Sequence, residues 1–172
     1  RLRPEISRVA VAGSFRRAKE TVHDLDFLVA TKEPALVCED FTTLPQVASI
    51  IACGDTKASV RLKNGLQCDL RAVSNDQFPF ALQYFTGSKE HNVAIRSLAL
   101  KQGLSLNEYG FTGETAVNFE VNEEADIYRA LGLDLIPPEL RENRGERIVQ
   151  HSRRTRGQVP GACVASAPRV RG

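Results

Sequence analysis

The chain contains no Met and no Trp, only three His, and four Cys that never approach a CxxC spacing. A complete translation product is expected to begin with Met, so a chain opening on Arg1 reads as a piece of a longer protein. Structural zinc needs Cys and His ligands paired at short spacing, which Cys38, Cys53, Cys68 and Cys163 do not offer. All four are expected to be small buried hydrophobes in a reducing compartment. No apolar run reaches the roughly 18–20 residues of a membrane span. No charged-then-apolar signal segment opens the chain. These absences point to a soluble cytoplasmic chain with no membrane partner.

What is present suffices for a core. At 172 residues and 42% hydrophobic content, the chain suits one domain or one and a half and needs no disulfide staples. Its net charge of +2 is unevenly distributed. Residues 141–172 hold eight Arg, no Lys and two acids, a net +6, while residues 1–140 hold fifteen basic and nineteen acidic residues, a net −4. The basic balance therefore belongs to the tail and does not argue that the folded part binds nucleic acid. The tail also lacks Leu, Phe and Tyr, so it cannot bury enough apolar surface to offset ordering entropy, and disorder is expected there. A misread gene end and a nucleic-acid-binding arm are both compatible with this break in composition.

Along the chain, Val9-Ala-Val-Ala-Gly13 predicts a buried strand entering a turn. Ser14 to Glu20 suits one or two helical turns with Ser14 as N-cap. Asp24 to Ala30 predicts a second strand, and Pro34 to Phe41 a helix with Pro in its first turn. Ala58–Lys63 and Leu66–Val73 alternate about Asn64-Gly65, a strong hairpin signal. Apolar residues at helical spacing follow from Phe80 to Lys101, interrupted at Thr86-Gly87-Ser88 and stopped by Gly103. Two short strand-like runs surround Gly110 and Gly113. A short helix covers Glu123 to Leu131, ended by Gly132.

Three acids stand out. Asp24 and Asp26 lie two apart at the start of a strand, so their side chains share a face. Asp69 lies within the second strand of the hairpin. Three carboxylates converging on one sheet face repel each other unless cations neutralise them. Hard oxygen ligands of this kind suit Mg²⁺, which takes one or two carboxylates plus substrate phosphates. Two such ions, roughly 3.5–4 Å apart, form a clamp for in-line displacement at phosphorus. Gly13-Ser14, leaving a strand and opening a helix, offers backbone N–H groups and a positive dipole end to an anion. Arg16 and Arg17 follow, and the guanidinium fork of one of them can hold a phosphate oxygen.

The order of these pieces is recognisable. Ala12-Gly-Ser-Phe-Arg-Arg-Ala-Lys-Glu-Thr-Val-His-Asp-Leu-Asp26 resembles the nucleotidyltransferase motif of family X DNA polymerases, the group that includes DNA polymerase beta. Tyr84-Phe-Thr-Gly-Ser-Lys-Glu-His-Asn92 resembles the family's YFTGS segment, and Leu106-Asn-Glu-Tyr109 its LNEY segment. The stretch from Tyr128 to Glu142 is similar to the end of the polymerase part in bacterial and archaeal members. The resemblance spans residues 5 to about 146 in the family's order.

The resemblance implies an α+β fold: a nucleotidyltransferase palm over residues 1–77, a mixed sheet with flanking helices, and a small α/β thumb over 78–140. Residues 141–172 are assigned to the Arg-rich tail. It implies Mg²⁺-dependent transfer of a nucleotide from a dNTP to a primer 3′-OH in gap-filling repair, with Mn²⁺ as an alternative ion. The implied partners are gapped or primer–template DNA and a dNTP, with the chain acting as a monomer near the nucleoid. Asp24, Asp26 and Asp69 match the catalytic metal ligands, Asp69 assisting deprotonation of the 3′-OH. Gly13, Ser14 and Arg17 match triphosphate binders. Tyr84, Phe85, Thr86 and Gly87 match the segment beside the incoming sugar. Asn92 and Arg96, four apart on one helix face, match contacts to the incoming base and the templating nucleotide. Minor-groove acceptors are alike in all base pairs, so such residues check pair shape rather than sequence. Arg71 and Glu108 match residues that switch partners when the thumb closes.

Two departures touch this site. His23 and Ala18 stand where the family often has Gly, and His23 would be strained at φ > 0. Neither removes a ligand. Family members usually carry an upstream helix-hairpin-helix part, and bacterial relatives often carry a downstream His-rich PHP domain. Two other functions fit the same residues: a nucleotidyltransferase with a non-DNA acceptor, and a folded but inactive DNA- or nucleotide-binding fragment.

Overall fold

The computed structural model describes residues 5–113, 116 and 119–142. Five strands form one sheet: β1 (Ile6–Val11), β2 (Asp24–Thr31), β3 (Val47–Cys53), β4 (Lys57–Leu62) and β5 (Gln67–Val73), in the order β1-β2-β5-β4-β3. β2 and β5 are parallel, and the other neighbours are antiparallel. The strand period of two decides what each face carries. Cys68, Leu70 and Ala72 of β5 are buried on one face. There they join Val29 and Ala58, and α2 (Pro34–Thr42) covers them with Val37 and Cys38. The opposite face holds Leu28 and Ala30, covered by Phe78 and Ala81 of α3 (Phe78–Thr86). Asp24 and Asp26 lie on this second face, four and two residues before Leu28, beyond the apolar patch that α3 covers.

The expected hairpin is β4–β5. Its turn is closed by the Gly65 amide on the Leu62 carbonyl at 2.9 Å, and Gly65 takes φ +88°. β3 carries no alternating signal. It is an edge strand with Ile50 and Ile51 largely exposed, which is why its sequence does not announce it. Cys53, at its end, is exposed, whereas Cys38 and Cys68 are buried. The expectation of burial thus fails at Cys53, because it ends an edge strand whose side chains are mostly left in solvent. Cys163 lies outside the described residues.

The turn after β1 is tighter than expected. α1 spans only Gly13–Arg16, with Ala12 rather than Ser14 as N-cap. Ala18, at φ +53°, prevents continuation to Glu20. It is the one non-glycine in the left-handed region among the described residues, so the strain expected at His23 falls at Ala18 instead.

The second half is largely helical. α3 and α4 (Lys89–Lys101) are separated by Gly87, at φ +71°, and Ser88, whose hydroxyl accepts from the His91 amide at 3.2 Å. A two-stranded ribbon follows, β6 (Ser105–Leu106) with β7 (Phe111–Thr112), then α5 (Glu124–Ala130) and a 3₁₀ turn at Pro138–Leu140. Phe80, Ile95, Leu104, Ile127, Tyr128 and Leu133 form its core. Arg141, which composition assigns to the tail, is fully buried in this half. Its charge is neutralised locally, something composition cannot show. The rest of the expected tail, residues 143–172, lies outside the described residues. Among the described residues no helix is long and apolar enough to cross a membrane.

Candidate active site

A cleft of about 450 Å³ opens between the Asp-bearing end of the sheet and the α3–α4 junction. Gly13, Ser14, Arg17, Asp24 and Asp26 line one side, and Tyr84, Phe85, Gly87, Asn92 and Arg96 the other. Ten of the fourteen predicted residues therefore meet in one concavity, from segments up to 83 positions apart.

Gly13 permits the closest approach in the site. At φ +62° it adopts a conformation that other residues resist, and a Cβ there would lie 2.0 Å from Asp26 Oδ2. The Gly13-Ser14 turn and the acidic strand are thus in direct contact. Asp26 faces Asp69 across the parallel β2–β5 register, so Asp24, Asp26 and Asp69 occupy one face of the sheet. Burial raises the Asp26 carboxyl above its ordinary value, the charges of Asp24 and Asp69 add to this, and Arg71 and Lys57 partly counter it.

Asp69 does not line the cleft. Its carboxylate accepts from the Ser59 hydroxyl on one oxygen and from Gln67 Nε2, at 3.3 Å, on the other. Among the described residues no three His, Cys, Asp or Glu side chains stand together as a ready metal-ligand group. Asp24 and Asp26 nevertheless present the hard oxygens Mg²⁺ prefers, and Mg²⁺ completes its shell with waters and phosphates rather than with an all-protein cage. The donor set fits such an ion through these two, with Asp69 one strand away.

The two arginines after Gly13-Ser14 part company. Arg16 turns away from the cleft, donating to Thr86 Oγ1 at 2.6 Å and, through both terminal nitrogens, to Glu124 at 3.2 and 2.8 Å. Arg17 lines the cleft. Thr86 is fully buried, and its hydroxyl also donates to the Leu82 carbonyl at 2.6 Å, so it braces the α3 terminus rather than lining the cleft. Phe85 does two things: it packs on the Leu28–Phe78 cluster and lines the cleft. The Arg71 guanidinium stacks over its ring at 4.3 Å. Glu108 lies in the β6–β7 turn, and among the described residues it forms no ion pair with Arg71. Asn92 is nearly buried: its Oδ1 accepts from Gln83 at 2.9 Å and its Nδ2 donates to the Tyr84 carbonyl at 2.7 Å. Arg96 extends over the Tyr84 ring, 5.8 Å from its centroid.

Several residues here were not foreseen. Ser88 and Lys89 line the cleft, and Ser59 orients Asp69. Lys57 and Arg61 of β4 pair in register with Arg71 and Gln67, placing two cations on either side of Ser59 on the Asp69 face. Alternation along β4 would have found them once the hairpin register was drawn.

A mixed sheet carrying paired acids against a Gly-Ser turn, closed by a helical hairpin and a small ribbon, defines a palm-and-thumb protein of the polymerase beta type. The family description for the DNA polymerase beta thumb matches residues 81–142. The DNA polymerase/3′-5′ exonuclease PolX of Bacillus subtilis is 45% identical over 150 residues, covering 86% of this chain and 26% of that protein. The repair DNA polymerase X of African swine fever virus is 29% identical over 143 residues, covering 77% of this chain and 80% of the viral protein. A ternary gap complex of Leishmania infantum polymerase beta superposes with a TM-score of 0.67 at 22% identity, over 80% of this chain and 63% of that one, a likeness of fold. The chain belongs to family X of the DNA polymerases. It spans about a quarter of the length of the Bacillus relative.

Proposed function

We propose that this chain is the catalytic palm and thumb of a DNA-directed DNA polymerase that adds a nucleotide from a dNTP to a primer 3′-OH in gap-filling repair. The observation that carries this reading is the single cleft in which Asp24 and Asp26 face Arg17 and Gly13 on one wall and Tyr84, Asn92 and Arg96 on the other. Acids for cations, a guanidinium for phosphate, and aromatic and amide groups for sugar and base are the groups such a transfer needs. Names of relatives agree with it: one is a polymerase–exonuclease, another a repair polymerase.

Asp24, Asp26 and Asp69 would hold the divalent ions, Mg²⁺ or Mn²⁺. When bound, such ions neutralise the triphosphate and make the 3′-OH more acidic. The protein's own share is positioning. Arg17 holds a phosphate oxygen through its fork. Gly13 allows the Gly-Ser backbone to approach the triphosphate beside Asp26. An oxygen of Asp69, oriented by Ser59 and Gln67, receives the 3′-OH proton. Tyr84 and Phe85 present ring edges to the sugar, and Arg96 lies over Tyr84 toward the templating side. Lys57 and Arg61 offer charge to the primer phosphates flanking Asp69, which the net −4 of residues 1–140 otherwise opposes.

The test is extension of a one-nucleotide gapped duplex with dNTP and Mg²⁺. The intact chain is expected to extend the primer, and D69A to lose about 10²–10⁴-fold in rate while keeping its fold. Undiminished extension by D69A overturns the reading. Transfer to RNA ends or small acceptors in preference to gapped DNA would point to the other acceptor class. Binding of DNA and dNTP with no turnover would point to a binding fragment.

A further inference from the structure

Arg17 is not a free side chain reaching into solvent. Its Nε donates to Glu142 Oε1 at 2.7 Å and its Nη1 to the Thr86 carbonyl at 2.5 Å. The other oxygen of Glu142 accepts from Lys19 Nζ at 2.7 Å. The side chains of Arg17 and Glu142 are only 14% and 19% exposed, so these charge-assisted bonds are largely sheltered from screening. Burial alone would push the Glu142 carboxyl up, but the bonds from Lys19 and Arg17 outweigh it and hold the group below its ordinary value. Glu142 is itself fixed by its neighbour. Arg141 is fully buried, donates to the Ile136 carbonyl at 2.9 Å and to Glu124 at 2.5 Å, and accepts from the Ser88 amide at 3.1 Å through its own carbonyl. Gly87 leaves room at the same point, since a Cβ there would lie 3.1 Å from Arg17 Nη1.

We propose that Glu142, at the end of the thumb, is the positioning residue of the triphosphate-binding arginine: it holds the inner edge of Arg17 so that the remaining N–H groups of the fork face the cleft. The inference rests on the cleft being the nucleotide site. A guanidinium has five N–H donors in a rigid plane. Two anchors on that plane fix its orientation and remove much of the rotamer freedom that a loose Arg would lose on binding. Glu142 lies 125 positions from Arg17, so the thumb contributes to the phosphate site without touching phosphate.

The sign of the expected effect separates positioning from bulk charge. Removing an acid beside an anion site tightens anion binding if charge alone acts. Loss of positioning weakens it. Binding of dNTP with Mg²⁺ is to be measured on the intact chain, E142A, E142Q, R17A and the R17A/E142A double variant, with thermal melting of each. Expected is roughly five- to tenfold weaker binding for E142A and a smaller loss for E142Q, whose amide oxygen can still accept from Arg17. The KM for dNTP should rise while kcat at saturation changes far less. In the R17A background E142A should add nothing, because the two act as one unit. Unchanged or tighter binding by both E142A and E142Q, or additive losses in the double variant, overturns the proposal. If the intact chain binds no dNTP at all, the nucleotide-site reading falls with it, an outcome distinct from normal binding that Glu142 variants leave untouched.

Discussion

Gly13 and Asp26 touch so closely that no side chain fits between them: a Cβ on Gly13 would stand 2.0 Å from Asp26 Oδ2 and 3.0 Å from its Cγ. The Gly-Ser turn and the acidic strand are therefore one unit. The β1–β2 ladder and the Ala12 amide, which donates to the Asp26 carbonyl at 2.8 Å, lock them together. G13A meets two penalties: about 1–2 kcal/mol for a left-handed Ala and displacement of the Asp26 carboxylate. Primer extension by G13A should fall on the order of 10²-fold, since a shift near 1 Å has that effect on a positioned group. Near-normal extension would show that the carboxylate moves freely.

Glu124 supplies a pH-dependent clasp across the chain. Burial pushes its carboxyl up, but hydrogen bonds from Arg16 and Arg141 outweigh burial and hold it below its ordinary 4.5. A carboxyl whose folded-state value lies below its unfolded one adds stability above the unfolded value and loses it as pH falls through the folded one. Unfolding free energy should therefore decline as pH drops below about 4.5, and more steeply than in E124Q. At neutral pH E124Q leaves Arg16 and Arg141 without a counter-charge, and a loss of about 3 kcal/mol is expected. Denaturant titrations of both proteins at pH 7 and at acid pH check this; parallel pH profiles would remove the clasp.

How much of this was legible in the sequence depends on the range of the contact. Asp24-x-Asp26, the Asn64-Gly65 hairpin and the Thr86-Gly87-Ser88 break are local patterns, and each lies in the structure where its pattern predicts. The register that sets Asp69 opposite Asp26 follows from strand order, which spacing does not give; the family resemblance groups Asp69 with Asp24 and Asp26 without giving that order. Spacing leaves Arg16 and Arg17 equivalent and only the family resemblance picks Arg17, because the contacts that separate them come from Glu124 and Glu142, more than 100 positions away. Ser14 looked like an N-cap because its residue type favours one, but the chain bends at Ala18 and the turn closes on Ala12. β3 leaves no sequence signal, because its Ile50 and Ile51 both lie exposed and show no alternation.

The cysteines offer a direct probe of that unforeseen edge. Burial raises the Cys38 thiol to about 11, and burial with the Asp69 charge raises Cys68. Cys53 is exposed. The thiolate is the reactive form, so iodoacetamide at neutral pH should modify Cys53 quickly and leave Cys38 and Cys68 untouched until the protein unfolds. Peptide mass mapping of the native protein reads this out, and rapid labelling of Cys68 would mean that β5 is not packed against α2.

Asn92 and Arg96 share a helix face but not a role in stability. The Asn92 amide satisfies Gln83, only 2% exposed, and the Tyr84 carbonyl. N92A leaves both partners without it, and a buried polar group stripped of its bond costs about 1–3 kcal/mol. For a chain of this size that is a fall in Tm of roughly 2–10 °C. Arg96 is half-buried, donating to the Asn92 carbonyl at 3.3 Å and lying over the Tyr84 ring. R96A should change Tm little, because this bond is long and the ring contact is partly solvated. Both variants should incorporate nucleotides more slowly on gapped DNA, R96A through loss of the proposed template contact and N92A through the displaced Tyr84 segment as well. Thermal melts paired with single-turnover extension separate the two. A stable N92A with weakened extension would show that its amide leaves Gln83 and Tyr84 to meet the base, and a destabilised R96A would place Arg96 in the core of the helix junction.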